Sequence, residues 1–259
     1  MPVTNDIFYF SYGTENASRP PLIFIHGAGG THLHWPPQVR RILNQRILAL
    51  DLPGHGKSAG IGSQSISDYA SQIVEFLDAA RMNAAVFIGH SMGSAIALTL
   101  ALDHPKRVLG LGLVGSGARL RVNPQILEST TSDLLFPHAI KLINDAEFSA
   151  NVNPRLKELA ARQMSETRPA VIHGDFLACD EFDVMSRLAE ISKPALILCG
   201  AEDVLTPVKY SEFLHNHIAN SRLIVVPDAG HMVMLEAPQT VADEIGAFAD
   251  SIRYRAGAN

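Results

Sequence analysis

Two serines of this chain lie in the pentapeptide pattern Gly-x-Ser-x-Gly, which can present a serine hydroxyl on a strained turn. Ser91 follows the strand-like run AAVFIG and precedes the helix-like run MGSAIALTLALDH. Ser58 follows DLPGHG and leads into a Gly- and Ser-rich stretch that has no helical pattern before Ser65. A nucleophilic serine on this motif needs a strand, a sharp turn and a helix around it. The context therefore favours Ser91 as the nucleophile and Ser58 as a loop residue.

A serine hydroxyl is a weak nucleophile unless a base takes its proton, and the base needs a carboxylate to orient it. Asp203 comes soon after the apolar run PALILCG, and His231 comes soon after RLIVVP. Both side chains are therefore expected just beyond the carboxyl ends of strands, where groups distant in sequence meet in one crevice. The sequence predicts a catalytic triad of Ser91, Asp203 and His231.

Two other carboxylates compete with Asp203 for the orienting role. Glu202 is its neighbour in the chain, and Asp228 lies in the sequence PDAG, close before His231. Asp and Gly after proline are typical of a turn. Asp203 is favoured over Asp228, which fits a turn, and neighbouring Glu202 stays an alternative.

The other histidines have structural interpretations. His90 adjoins the serine, and neighbours on a sharp turn project in different directions. His26 and His55 fall in loops where they are expected to hold backbone in place. His32 and His34 have no Cys or carboxylate near them in sequence to complete a ligand set, so no metal site is predicted.

The composition is that of a globular protein. Hydrophobic residues make up 47% of the 259 residues, charged residues 18%, and the formal net charge is −5, so no basic field for nucleic acid is present. No leader-like start and no long apolar run occur, which predicts a cytoplasmic protein without a membrane span. Cys179 and Cys199 are too few for a disulfide framework. The oligomeric state is left open.

Short apolar runs alternate with longer helical patterns, which predicts an α/β class with a mostly parallel sheet covered on both faces. The expected strands are LIFIHG, RILALD, AAVFIG, VLGLGLVG, PALILCG and RLIVVP. Residues 118–193 break this alternation and read as helices, including one across DLLFPHAIKLI and two that begin at Asn123-Pro124 and Asn153-Pro154. We expect a core of residues 1–117 and 194–259 with 118–193 inserted as a helical cap.

Five motifs in this order resemble the α/β-hydrolase superfamily, and the resemblance covers nearly the whole chain. They are His26–Gly30, Asp51–Ser58, Gly89–Gly93, Gly200–Asp203 and Gly230–His231. The resemblance implies the α/β-hydrolase fold and assigns Ser58 to a structural loop. It also implies an oxyanion hole formed by the backbone N–H groups of Ala28 and Met92, and it implies no cofactor.

The resemblance implies hydrolysis of a small-molecule ester through an acyl-enzyme on Ser91. Apolar residues of the cap are expected to line a substrate pocket: Leu134, Leu135, Phe136, Ile140 and Phe176. Most of them could instead pack the cap on the core. Arg119 and Arg121 could bind a substrate carboxylate, as in a meta-cleavage-product C–C hydrolase or an enol-lactonase. A ligand receptor that keeps the fold without turnover is a further alternative.

Overall fold

A sheet of eight strands forms the centre of the molecule in the computed structural model, which describes residues 2–14 and 19–254. The predicted core span also contains residues 1, 15–18 and 255–259, which lie outside the described residues. The strand order is β1-β2-β4-β3-β5-β6-β7-β8. The strands are β1 (Val3–Thr4), β2 (Ile7–Tyr12), β3 (Leu22–Ile25), β4 (Ile47–Leu50), β5 (Ala85–His90), β6 (Val108–Val114), β7 (Ala195–Gly200) and β8 (Ser221–Val226).

The strands from β4 through β8 in this order run parallel, whereas β2 pairs antiparallel with β4, with Tyr9 opposite Leu50. Each of the six apolar runs that the sequence predicts as strands corresponds to a strand of the sheet, from β3 to β8. The two N-terminal strands are not predicted by the sequence, since β1 has only two residues. The predicted mostly parallel sheet flanked by helices, the α/β-hydrolase fold, is confirmed.

Helices cover both faces of the sheet. They are α1 (Pro37–Arg40), α2 (Ile66–Ala79), α3 (Met92–Asp103), α4 (Pro124–Ser129), α5 (Phe136–Glu147), α6 (Pro154–Ser165), α7 (Pro169–Glu181), α8 (Val208–His217), α9 (Val233–Glu236) and α10 (Pro238–Ser251). Alternate residues of β3 serve opposite faces. Ile23 and Ile25 pack with α2 and α3, whereas Leu22 and Phe24 pack with α1 and α10. Since all four are fully buried, β3 lies in the centre of the core.

Residues 118–193, here called the cap, lie between β6 and β7 and hold α4 to α7. The side chain of Asn123 accepts the N–H of Gln125 and that of Asn153 accepts the N–H of Arg155, so the two Asn-Pro pairs begin α4 and α6 as predicted. Helix α7 has no side-chain N-cap, and the sequence does not predict it. The cap has a small apolar core of its own: Ile126, Phe136, Ile140, Ile143, Met164 and Ile172.

Within residues 2–14 and 19–254, no helix is long and apolar enough to cross a bilayer. The same residues contain no cluster of three or more His, Cys, Asp or Glu side chains that could hold a metal ion. Cys179 and Cys199 are both buried and unpaired. Burial raises the pKa of both thiols.

Ser58 connects the loop after β4 to β2, which predicts a structural role. Its hydroxyl donates to the Asp51 carbonyl and accepts the N–H of Phe8 at 2.8 Å. We expect Ser58→Ala to lower the free energy of unfolding in urea by about 1–3 kcal/mol, because the N–H and carbonyl lose their partner. The control Ser71→Ala removes only a bond to the Ser67 carbonyl on an exposed helix face and should change it by less than about 0.5 kcal/mol. Equal losses in the two variants would contradict this role.

Candidate active site

Ser91 lies at the sharp turn between β5 and α3, with φ 53° and ψ −117°, a conformation that non-glycine residues rarely adopt. The backbone crossings around it require glycine. A Cβ on Gly89 would lie 2.1 Å from the Gly93 carbonyl oxygen, and a Cβ on Gly93 would lie 2.3 Å from that of Ile25. The Ser91 side chain caps no N–H of α3. Its hydroxyl is therefore not used by the helix, and Ser91 lines a cleft together with His231.

His231 and Asp203 are in direct contact. Nδ1 of His231 donates to Oδ2 of Asp203 at 2.8 Å, and both residues are at least 96% buried, with 3% and 4% exposed. Asp203 also accepts the N–H groups of Leu205 and Thr206, and the hydroxyl of Thr206 donates to its Oδ2. Since Nδ1 carries the proton, Nε2 is the ring nitrogen that can accept one.

The competing carboxylates have other roles in the structure. Asp228 is an exposed turn residue with φ 54°. Glu202 accepts the backbone N–H of Ala150 at 2.9 Å. Asp203 is thus the carboxylate that contacts His231 among the three weighed from the sequence.

Burial and charge shift the pKa values of His231 and Asp203 in opposite directions. Burial disfavours the imidazolium, but the charge and hydrogen bond of Asp203, with a smaller contribution from Glu147, raise the pKa of His231 above its ordinary value. Burial would raise the pKa of Asp203, but His231 and the bonds from Thr206 hold it below its ordinary value. The arrangement therefore favours a charged Asp203 and makes His231 a stronger base than a free histidine.

Glu147, at the end of α5, is a second acidic residue near His231. It is 6% exposed, and burial raises its pKa to about 7, while the charge of His231 acts in the opposite direction. Its carbonyl accepts the N–H of Met232 at 2.9 Å, directly after His231. The cap thus supplies both a backbone contact and an acidic side chain to the histidine loop.

Glu236 joins the same loop to the cap. Its Oε1 accepts the N–H of Gly230 at 2.8 Å, and its Oε2 accepts the N–H of Ser149 at 3.1 Å together with the Ser149 hydroxyl. Gly230 leaves no room for a side chain, since a Cβ there would lie 2.6 Å from the Ser149 nitrogen. The loop that carries His231 is therefore held from both sides.

Ala28 and Met92 are the residues expected to form an oxyanion hole. Ala28 lines the same cleft as Ser91 and His231. Met92 is the first residue of α3, where backbone N–H groups have no acceptor within the helix and the helix dipole favours negative charge. Met92 thus follows Ser91 directly in the chain and Ala28 lines the same cleft, whereas their role in an oxyanion hole stays a prediction.

Among the remaining buried histidines, His26 and His90 contact backbone, and His32 bonds to a carboxylate. His26 donates to the Gly27 carbonyl and accepts the Leu52 N–H, and His90 contacts the His231 carbonyl at 3.1 Å. Burial and neighbouring histidines lower the pKa of both His26 and His90 well below the ordinary value. His32 bonds to Asp51, and burial lowers the pKa of His34 to about 4.

The cleft has a mostly apolar wall with a few polar groups. Among the residues predicted for a pocket, only Phe176 lines it. The other lining residues include Leu120, Val122, Ile126, Ile143, Cys179 and Leu205, with Arg121 and Asn123 as polar members.

The predicted positions of Leu134 and Leu135 in a pocket wall need correction. They are 88% and 42% exposed, because they precede α5 on the side that faces solvent. Phe136 and Ile140 are buried, but they pack inside the cap's own core and do not line the cleft. The apolar pattern of this helix identifies buried positions, yet it cannot say which of them face the cleft.

Sequence reasoning missed four polar residues around the site: Thr206, Glu147, Glu236 and Asp175. Asp175 is completely buried in α7 and accepts the N–H of Gly29, next to Ala28. A carboxylate within the apolar run PAVIHGDFLA is the one signal that could have drawn attention to it, since an acidic residue there needs a buried partner. The other three become meaningful only once the chain is folded.

A half-buried serine on a strained turn, an imidazole and a buried carboxylate can together perform nucleophilic catalysis. The comparisons with known proteins fit this chemistry. A family model described as the alpha/beta hydrolase fold matches residues 20–238. A solved structure titled as that of a thermophilic esterase is 33% identical, with a TM-score of 0.80, and the match covers 93% of this chain and 97% of the other.

Two curated proteins of similar length also match. The 3-oxoadipate enol-lactonase 1 of Acinetobacter baylyi is 28% identical over 249 residues, which cover 93% of this chain and 92% of the relative. The pimeloyl-acyl-carrier-protein methyl ester esterase of Pectobacterium carotovorum is 28% identical over 252 residues, which cover 92% of this chain and 97% of the relative.

The contribution of Glu147 to His231 can be measured without substrate. We expect Glu147→Gln to lower the pKa of His231 in an NMR titration of its ring, because a negative charge beside the imidazolium is removed. Asp203→Asn should lower it further, since Asp203 is the larger contributor. Exposed Glu166 provides a control, and Glu166→Gln should leave the titration unchanged. An unaltered His231 titration in Glu147→Gln would refute the contribution.

Proposed function

This chain belongs to the α/β-hydrolase family, and we propose that it hydrolyses small to medium carboxylic esters through an acyl-enzyme on Ser91. The observation that carries the proposal is the arrangement of one cleft. Ser91 and His231 both line it, and His231 donates to buried Asp203 behind it. The names of the esterase and enol-lactonase relatives support cleavage of a carboxylic ester bond.

The reaction proceeds in two steps. Ser91 Oγ attacks the ester carbonyl carbon while His231 Nε2 takes its proton, and the bond to the alcohol breaks as His231 returns the proton to the leaving oxygen. Water then attacks the acyl-enzyme, His231 takes a proton from it, and Ser91 regains that proton as the acid is released. Because only neutral His231 accepts a proton, the rate rises with pH through the raised pKa of His231.

The carbonyl oxygen becomes negative in each step. The backbone N–H groups of Ala28 and Met92 stabilise it, each by about 3 kcal/mol in comparable sites. The apolar wall of Ile126, Ile143 and Phe176 receives the acyl or alcohol group. Location in the cytoplasm and the absence of a nucleic-acid partner stay predictions of the sequence.

Labelling with a fluorophosphonate probe tests the nucleophile and also separates an enzyme from a receptor. Wild-type protein is expected to label rapidly and to hydrolyse p-nitrophenyl esters, whereas Ser91→Ala should lose both, because it removes the hydroxyl that lies on the strained turn and lines the cleft together with His231. Ser58→Ala should keep the rate within a few-fold. Unlabelled wild-type protein would favour the receptor, and labelling that survives in Ser91→Ala would refute the assignment of the nucleophile.

A carboxylate-bearing ester or lactone is a second candidate substrate, and the different surroundings of two arginines favour it. Arg119 lies 3.8 Å from the Asp183 carboxylate. Arg121 lines the cleft, donates to the carbonyls of Leu120 and Asp180, and forms no ion pair with a carboxylate within residues 2–14 and 19–254. Its remaining N–H groups can bind a substrate carboxylate in the cleft.

Arg121→Gln is expected to raise KM for a monoester of a dicarboxylic acid by about tenfold, because one charge-assisted contact is lost. The matching dimethyl ester, which has no charge, should show no such change. Arg119→Gln is the control, since Asp183 already neutralises that guanidinium. Steady-state kinetics on the two esters would reject the anionic substrate if Arg121→Gln affected both alike.

A further inference from the structure

Asp175 connects the cap to three segments of the core. Its Oδ2 accepts the N–H of Gly29 at 2.8 Å and contacts Nε2 of His55 at 2.8 Å, and its Oδ1 accepts the hydroxyl of Tyr69 at 2.7 Å. The residue is 0% exposed. A carboxylate buried this deeply persists only if its charge and lone pairs are satisfied, and here they are.

His55 completes this buried pair as an imidazolium. Its Nδ1 faces the Pro53 carbonyl at 3.1 Å and its Nε2 faces Asp175, so both ring nitrogens need a proton to donate. Burial opposes the charge, but the charge and hydrogen bond of Asp175 raise the pKa of His55 above its ordinary value. With no ring nitrogen left to accept a proton, His55 serves to hold Asp175.

The bond from the Gly29 N–H to Asp175 helps to orient the preceding peptide, which joins Gly27 to Ala28. The carbonyl of Gly27 accepts Nδ1–H of His26 at 2.8 Å and the N–H of Gly30 at 3.1 Å, on the inner side of the loop. Because a trans peptide is planar, the N–H of Ala28 points away from those donors. The next N–H, that of Gly29, points to Asp175. The direction of the Ala28 N–H is thus set by bonds on both of its neighbours.

The cap also holds the other side of Gly29. The hydroxyl of Thr167 donates to the Gly29 carbonyl at 3.2 Å, and a Cβ on Gly29, whose φ is +65°, would lie 3.1 Å from Ile172 of α7. Both polar groups of this residue are therefore bonded to cap side chains.

We propose that Asp175 is a positioning residue for ester hydrolysis: through Gly29 it fixes the Ala28 N–H where the oxyanion forms, and it thereby couples helix α7 of the cap to the chemical step. This inference rests on the proposed function. An N–H that binds the oxyanion acts mainly in the transition state, so its misplacement lowers kcat and leaves KM nearly unchanged. A cap residue that only lined the pocket would change KM.

Asp175→Ala is expected to lower kcat for p-nitrophenyl esters about 10- to 100-fold, with KM within about twofold of the wild type. Asp175→Asn keeps an oxygen for the Gly29 N–H and should recover part of that loss. Thr167→Val removes the bond to the Gly29 carbonyl at nearly constant volume and should lower kcat to a smaller extent. This variant tests the proposal even if Asp175→Ala fails to fold.

Tyr69→Phe is the matched control, because it removes a bond to the same carboxylate without touching Gly29. It should lower the free energy of unfolding but preserve kcat. Equal kcat losses in Tyr69→Phe and Asp175→Asn would reduce Asp175 to a structural role and overturn the proposal. A raised KM with unchanged kcat in the Asp175 variants would also overturn it.

Amide hydrogen exchange of Gly29 separates this proposal from the function on which it rests. In Asp175→Ala the Gly29 N–H should lose its protection, whether or not the protein turns over an ester. If wild-type protein neither labels with fluorophosphonate nor hydrolyses esters, the proposed function itself is refuted. Labelled, active wild-type protein with unaltered Gly29 exchange in the variant would refute the positioning role alone.

Discussion

The close crossing of backbones beneath Ser91 is the constraint on which the site depends. Gly93, in the first turn of α3, packs against the Ile25 carbonyl at the end of β3, and Gly89 of β5 packs against Gly93. The hydroxyl of Ser94 donates to the Gly89 carbonyl at 2.7 Å and strengthens this crossing. Because β3 leads directly into the loop that carries Ala28, one set of contacts positions both Ser91, the proposed nucleophile, and Ala28, a proposed donor for the oxyanion. A larger residue at either glycine would separate them.

Besides His32–Asp51, two buried carboxylate–imidazole pairs are present among the described residues, His231–Asp203 and His55–Asp175, and these two differ in one respect that decides their chemistry. His231 donates through Nδ1 to Asp203 and leaves Nε2 toward the cleft, whereas His55 uses both nitrogens for Asp175 and a backbone carbonyl. Only the first pair can accept a proton from a substrate or a serine. The second has the same residue types and similar burial, yet it serves to fix a loop. Residue identity alone does not distinguish the two; the number of acceptors around the ring does.

The sequence predicts the parts of this structure that depend on local order along the chain. Each apolar run forms a strand, and Asp203 and His231 meet because both follow parallel strands at the same edge of the sheet. Features set by packing between distant segments are not predicted. Helix α7 begins without a capping side chain, and the apolar residues Leu134 and Leu135 face solvent although their pattern favours burial.

The cap does more than enclose the cleft, because it bonds to both loops that flank the serine. Asp175 and Thr167 hold Gly29 on one side, and Glu147 and Ser149 hold the loop of His231 on the other. Movement of the cap as one body would therefore disturb the loop of Ala28, the proposed oxyanion donor, and the loop of His231, the proposed base, together. The reacting groups therefore stay aligned in only two cases. Either a substrate enters through the existing opening of the cleft, or only part of the cap moves. An exchange of the cap with that of a relative would alter reactivity as well as specificity unless these bonds were kept.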